Sequence, residues 1–199
     1  MTSYLFQKIA DRGAAQGIDI RSTTARARNW FRETALAVRA VNSRTLLNDE
    51  DNKVDSIDVE SIGRMYAFFY DPKHKKTLPF YDKFPLVIVI GMKENGFLGL
   101  NLHYLPPVLR AQLMNRLYET VSNKKLDKTT KLRVNYQLLQ GAVRFRYFSP
   151  CVKHYLFEHV QSDFLTIQPE FWDVALMLPT ESFEKAGKEK VWSNSRSMI

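Results

Sequence analysis

The sequence is poor in cysteine and has no long apolar run. Cys151 is the only cysteine among 199 residues, which excludes an internal disulfide and a thiolate cluster for structural zinc. The longest apolar stretch, residues 84–92, has the length of a strand and falls far below the roughly 20 residues of a membrane-spanning helix. The first residues lack the basic, apolar and small-residue segments of a secretory signal. These absences predict a soluble protein of a reducing compartment, without a membrane partner.

Motifs for metal or cofactor binding are also missing. His154 and His159 lie five positions apart in a segment whose pattern predicts a helix, a spacing that places them on different faces. No phosphate-binding GxxxxGK[ST] motif occurs, and Gly91, Gly96 and Gly99 fit a hairpin better than a dinucleotide loop. We therefore expect neither a metal site nor a cofactor.

Two catalytic alternatives stay open. Cys151 follows Ser149 and Pro150 at a predicted helix start, where the helix dipole would favour its thiolate, although a packed cysteine is the simpler interpretation. Asp71 and Asp82 flank a basic loop and could hold a nuclease metal, although solvated turn residues explain them more economically. The prediction is a non-catalytic protein, with a nuclease or other hydrolase as the alternative.

Positive charge is what the sequence has in excess. Its 29 lysines and arginines outnumber 21 acids, which gives a net charge of +8 and favours phosphate or an acidic protein surface as partner. The first 48 residues carry eight basic residues against three acids, whereas residues 49–60 carry six acids against one lysine. This pattern predicts a basic N-terminal helical arm (1–48), an acidic linker (49–61), a core domain (62–184) and a C-terminal tail (185–199).

The arm is predicted to contain one amphipathic basic helix, capped by Ser22 or Thr23. Its apolar side comprises Ala27, Trp30, Phe31, Ala35 and Val38. Arginines occupy the remaining side.

The core shows an α+β pattern. Residues 86–90 and 97–102 predict a β-hairpin with Asn95 and Gly96 at its tip, where both residues would accept positive backbone angles. Further strands are predicted at 64–70, 142–148 and 163–168, and helices at 108–121, 128–140, 151–162 and 169–175. The expected fold is a small antiparallel sheet, open or barrel-like, packed with several helices and joined to the helical arm and an extended tail.

Ten residues are candidates for binding a partner or nucleic acid, because cations neutralise phosphates and an isolated tryptophan can dock into a neighbour. They are Arg26, Arg28, Arg32, Arg39, Lys73, Lys75, Lys76, Arg144, Arg146 and Trp192. Four aromatic residues could stack on bases, although core packing is their simpler interpretation: Trp30, Phe31, Tyr70 and Tyr147.

Several stretches resemble virion-associated proteins of T-even-like tailed phages (myoviruses). They are IGRMYAFFYDPKHKKTLPFYDKFPLVIVI, GFLGLNLHYLPPVLRAQLM, FSPCVKHYL, WDVALMLP and KVWSNSR. The resemblance implies a structural or assembly protein of the head, neck or tail that docks onto other virion proteins through its arm and tail. It would reside in the virion and, during assembly, in the host cytoplasm. The alternative is a protein that binds double-stranded DNA ends and protects the packaged genome termini.

Overall fold

The computed structural model describes residues 5–19, 22, 24–48, 50–122, 137, 141 and 148–197. The α-helices of this part are α1 (Leu5–Ala15), α2 (Ala25–Leu36), α3 (Ser43–Leu46), α4 (Pro107–Ser122), α5 (Trp172–Met177) and α6 (Lys188–Ser197). The strands are β1 (Lys53–Val54), β2 (Met65–Ala67), β3 (Tyr81–Asp82), β4 (Leu86–Lys93), β5 (Gly96–Asn101), β6 (Val152–Leu156), β7 (Phe164–Ile167) and β8 (Phe183–Glu184). The predicted helix at 128–140 and the strand at 142–148, with Arg144, Arg146 and Tyr147, lie outside the described residues.

The main sheet has six antiparallel strands in the order β1-β7-β2-β4-β5-β6, and β3 pairs with β8 in a second, small sheet. This arrangement confirms the predicted α+β class. Among the described residues the sheet is open rather than barrel-like, with β1 and β6 as its edges. The chain between β6 and β7 passes the segment after β2, where Tyr70 and Val160 form an isolated bridge.

Alternating side chains divide the core between the two faces of the sheet. From β4, Leu86, Ile88 and Ile90 contribute to the cluster that also contains the helices. Val87 and Val89 contribute to the opposite cluster. That second cluster is rich in aromatic rings, and its centre is Phe68, which contacts Tyr70, Phe97, Tyr155 and Phe164 at 4.9–6.3 Å between ring centroids.

The N-terminal helices pack on the core. In α2 the predicted apolar side is confirmed at Ala27, Phe31 and Ala35, which are all buried in the helix-covered cluster. The cap is Thr24 rather than Ser22 or Thr23: its side chain accepts a hydrogen bond from the Ala27 amide at 3.3 Å. Ser22 instead donates its hydroxyl to Thr24.

The acidic segment takes part in the fold. Lys53 and Val54 pair with β7, and Ile57 is buried in the aromatic cluster. Asp58 caps a short 3-10 turn by accepting from the Glu60 amide. Within the predicted linker, two residues of edge pairing and one buried isoleucine therefore contact the core.

The predicted hairpin is confirmed, but its turn differs. Lys93 pairs with Gly96, so Glu94 and Asn95 form the turn and Gly96 begins β5. Neither Asn95 nor Gly96 has a positive φ. Glycine is required at position 96 for another reason: a Cβ there would collide with the carbonyl oxygen of Tyr155 in β6.

Two predictions of local structure near the C-terminus are wrong. Residues 151–162 do not form a helix: a 3-10 turn (Ser149–Cys151) leads into β6, which satisfies the hydrogen-bonding edge of β5. The tail is not extended, since α6 buries Val191 completely and the Trp192 indole donates to the His103 carbonyl at 2.8 Å. The predicted helix after Pro106 is confirmed as α4. No described helix has the length and apolar character needed to cross a membrane.

Candidate nucleic-acid interface

A cleft of about 370 Å³ lies between the loop before β3 and the edge strand β6. The loop bends sharply after Tyr70 because Asp71 and Pro72 end the preceding extended segment. The lining residues are Tyr70, Pro72, Lys73, His74, Leu78, Phe80, Tyr81, Asp82, Tyr104, Lys153, His154, Tyr155 and Leu156. The cleft therefore combines cations with five aromatic rings.

The basic loop on one side is held in place by Lys185. The Lys185 ammonium donates to the carbonyl oxygens of Lys75, Lys76 and Leu78 at 2.5, 3.0 and 2.9 Å. Lys185 adopts a positive φ of 68°, an uncommon backbone conformation for a side chain with a Cβ. Lys73 and Lys76 belong to this loop, and both are exposed.

Lys153 supplies the cation on the opposite side. Its Nζ lies 4.2 Å from the centre of the Tyr104 ring, a cation–π contact. Among the described residues no carboxylate oxygen lies within 4.0 Å of this ammonium. Burial lowers the pKa of Lys153, since desolvation disfavours the charged form.

The aromatic rings differ in how much surface they offer. Tyr155 and Tyr104 are buried, and burial raises the pKa of both phenols, so they stay neutral. Tyr70 is also buried, and its hydroxyl accepts from the Leu156 amide at 3.2 Å. Phe80 and Tyr81 are only half-buried. These two rings are the ones that a flat ligand can contact.

Beneath the cleft lies a buried polar network centred on Asp82. Its Oδ2 is 2.7 Å from His103 Nδ1 and accepts from the Asn101 amide at 3.0 Å. The other His103 nitrogen lies 3.0 Å from the Thr180 hydroxyl. Burial by itself would raise the pKa of Asp82, but the His103 ring and hydrogen bonds from Asn101 and Phe84 outweigh it and lower that pKa.

This network corrects the interpretation of Asp82 as a solvated turn residue, because its carboxylate is 1% exposed. Asp71 remains partly exposed and pairs with Lys75 at 2.7 Å. Cys151 is fully buried, and burial raises the pKa of its thiol to about 12, which keeps it protonated. In the described residues no group of three or more histidine, cysteine, aspartate or glutamate side chains is placed to hold a metal ion.

The comparisons with known proteins identify the family. A model of the phage T4 terminal DNA protecting protein family matches residues 3–196. The chain belongs to this family. No similar curated protein and no similar solved structure were found.

Membership of the terminal DNA protecting family confirms the resemblance to T-even-like phage proteins. It favours the predicted alternative, protection of DNA ends, over a general structural role. Docking onto other virion proteins stays a prediction.

The four predicted arginines of the N-terminal arm differ in exposure and in their contacts. Arg26 and Arg39 are exposed on or after α2. Arg28 lies over the Tyr118 ring at 5.3 Å, and Arg32 forms an ion pair with Asp173. None of these α2 side chains lines the cleft.

The remaining described candidates also differ in their positions and contacts. Lys73 lines the cleft, Lys76 is exposed beside it, and Lys75 pairs with Asp71. Trp192 is half-buried: its ring lies 5.7 Å from the Arg110 guanidinium, and its indole donates to the His103 carbonyl.

Sequence reasoning missed Lys153, His154, Phe80 and Tyr81. The first two were assigned to a helix, although the aromatic and β-branched content of residues 152–156 and the proline before them are also typical of a strand. Nothing in the local sequence marks Phe80 and Tyr81, because the loop and β6 meet only through tertiary structure.

Proposed function

We propose that this protein binds the ends of phage DNA in the host cell and shields them from exonucleases, with the basic aromatic cleft as its contact surface. The family name describes protection of terminal DNA. The observation that supports the cleft is the half-buried Lys153 ammonium, which stands over Tyr104 without a carboxylate from any described residue within 4.0 Å. If the protein binds DNA ends, a DNA phosphate is the anion that would contact the Lys153 ammonium.

The other side of the cleft supports the same assignment. Lys73 and Lys76 extend the positive charge along the rim, and Lys185 fixes the loop that carries them. Cations spaced along a rim track a phosphate backbone without reading its sequence. Such a surface suits a protein that must bind genome ends of any sequence.

We further propose that the protein acts by occupancy and not by catalysis. Asp82 is the carboxylate nearest to the cleft's interior, yet its oxygens are taken by His103, Asn101 and backbone amides. Cys151 is held as a buried thiol. Neither group is available to activate water or attack phosphorus.

An exonuclease-protection assay tests the proposal. Linear duplex DNA is incubated with the protein and then digested by a nuclease that requires an end, while unlabelled linear DNA or a closed circle of the same sequence competes. We expect protection that linear DNA abolishes and the circle does not. Equal competition by the circle would refute end binding.

A charge-matched pair of variants tests the cleft itself. The cleft variant combines Lys73→Gln, Lys76→Gln and Lys153→Gln, and the control combines Lys8→Gln, Lys93→Gln and Lys190→Gln at exposed sites outside the cleft. Each lost phosphate contact should lower the slope of log affinity against log salt by about 0.9. Equal losses in the two variants would show that net charge alone, and not the cleft, binds DNA.

A further inference from the structure

We propose that the cleft holds one unpaired terminal nucleotide, with its phosphate on Lys153 and its base against Phe80 and Tyr81, so that the protein recognises a frayed or overhanging DNA end. This inference rests on the proposed function and specifies its ligand. It follows from the size, the charge and the ring surfaces of the cleft.

The size of the cleft limits what can enter. Its volume of about 370 Å³ is at the lower end of the range of about 300–1,000 Å³ in which proteins bind small molecules. One nucleotide is a ligand of that class. A base pair with both of its backbones is much larger, and the buried floor formed by Asp82 and Tyr155 leaves no room for a duplex to sink in. A strand end must therefore enter alone.

The charge of the cleft places the phosphate. Lys153 and Lys73 stand on opposite sides and are the two ammonium groups that line the space. Lys153 is the more buried and has no carboxylate partner among the described residues, so it gains most from an anion. The anion is either a terminal phosphomonoester or the first phosphodiester of the strand, since both present the same oxygens.

The aromatic side chains place the base. Phe80 and Tyr81 are adjacent in sequence and half-buried at the cleft, while Tyr104 is held behind Phe80 at 6.0 Å between ring centroids. Any base has a π face that can stack on such rings, and stacking does not depend on sequence. This agrees with a ligand defined by being unpaired and not by which base it carries.

An end differs from the interior of a duplex in what it costs to free one nucleotide. An interior base must be unpaired and unstacked on both sides, whereas freeing a mismatched or single-stranded nucleotide costs the least free energy. Because the cleft binds only a freed nucleotide, affinity should increase as that nucleotide becomes easier to free. Overhangs should bind best, then mismatched ends, then blunt G·C ends.

DNA hairpins with one open end provide the test. The ends compared are blunt G·C, a terminal mismatch, a one-nucleotide 3′ overhang, and a one-nucleotide 5′ overhang with and without its 5′-phosphate; a dumbbell without ends is the reference. In a second set of the same ends the terminal nucleotide is 2-aminopurine, opposite thymine at the blunt end, and its fluorescence reports stacking. We expect overhangs to bind about tenfold more tightly than the blunt end, as one added base–aromatic stack would produce. We also expect the fluorescence of the terminal base to change on binding.

Variants separate the two contacts. Tyr81→Leu should abolish the preference for unpaired ends, whereas Tyr81→Phe, which keeps the ring, should retain it. Lys153→Met should weaken binding and lower the salt slope by about 0.9. If affinity falls only for the 5′-phosphorylated overhang, the anion is the phosphomonoester; if it falls for all ends, the anion is a diester. Both results support the proposal.

The failure of this inference is distinct from failure of the proposed function. Equal affinity for all open ends, with no change in terminal-base fluorescence and the dumbbell bound weakly, would overturn the unpaired nucleotide and leave end binding in place. Equal affinity for open ends and the dumbbell would overturn both.

Discussion

The arginines of α2 and the lysines of the cleft are equally basic in sequence but have opposite surroundings. Arg32 donates from Nε to Asp173 at 2.8 Å and from Nη2 to Asn115 at 3.0 Å. Its Nη2 also lies 2.7 Å from the Asp173 carboxylate, and its side chain is 11% exposed. Lys153 is half-buried as well, yet its ammonium lies over the ring of Tyr104 at 4.2 Å. The comparison shows that the fold decides which cations are available to a ligand, because it decides which ones already have a counter-ion.

The two cations also contribute differently to stability. Burial raises the pKa of Asp173, and the Arg32 guanidinium offsets this only in part. Removing Arg32 would therefore leave a desolvated carboxylate without its ion-pair partner, with only the weaker influence of Arg28 and Tyr118 remaining. Within the described part of the chain Lys153 pairs with no carboxylate, so its removal relieves desolvation and costs a cation–π contact. The predictions that follow test this contrast, in order of decreasing effect.

Arg32→Ala should have the largest effect. We expect the free energy of unfolding to fall by about 3–5 kcal/mol, because breaking a buried pair leaves an uncompensated charge. The control is Arg26→Ala, an exposed arginine of the same helix, for which a change within about 0.5 kcal/mol is expected. Urea unfolding measures both. Equal losses of unfolding free energy in the two variants would show that Arg32 does not stabilise the fold and is as available to a ligand as Arg26.

Asp82→Asn tests the network under the cleft. The pKa of Asp82 is lowered in the folded protein, so its ionised form contributes stability above the unfolded value of about 3.9, and this contribution is lost as the pH falls below it. Replacement should lower the free energy of unfolding by about 1.5–3 kcal/mol at pH 7. The difference in unfolding free energy between variant and natural protein should shrink as the pH falls from 5 to 3. Unfolding curves at several pH values measure this difference. A difference that stays constant with pH would contradict an ionised Asp82 in the buried network.

Gly96→Val tests how β6, which carries Lys153, is brought to the cleft. The added side chain would force β6 away from β5 at the Tyr155 carbonyl, and we expect a loss of about 1–3 kcal/mol from overpacking. Gly91→Val is the matched control in the same hairpin, since a Cβ at Gly91 meets no atom within 4 Å. Thermal melting compares the two. An equal shift would mean that β-strand propensity, and not the close approach of β6, governs position 96.

Lys153→Met should have the smallest effect on stability. The lost cation–π contact is worth about 0.5–1 kcal/mol, and it is offset by relief of the desolvation that lowers the pKa of Lys153. We therefore expect a free energy of unfolding within about 1 kcal/mol of the natural protein. A loss as large as that of Arg32→Ala would show that Lys153 is a structural cation and remove the contrast between the two regions.

Local patterns in the sequence were sufficient for several elements. The β-branched run at 86–90, the Asn-Gly turn signal and the returning run at 97–102 predicted the hairpin, and helical spacing predicted the buried side of α2. Both succeed because they depend on residues that are close together in sequence. The same reasoning failed for residues 151–162, whose pattern suits either structure until β5 offers an edge to pair with.

What the sequence determined by itself is therefore the α+β class, the positive charge and the phage family resemblance. Which charges meet was decided by tertiary structure. Arg32 and Asp173 are 141 positions apart, and Lys185 holds the carbonyl of Lys75 across 110 positions. Asp82 and His103 are 21 positions apart: Asp82 ends β3, and His103 lies in the 3-10 turn Leu102–Tyr104 after β5. Local periodicity carries no information about such pairs, because whether a charge is buried, paired or available depends on the segments that folding brings beside it.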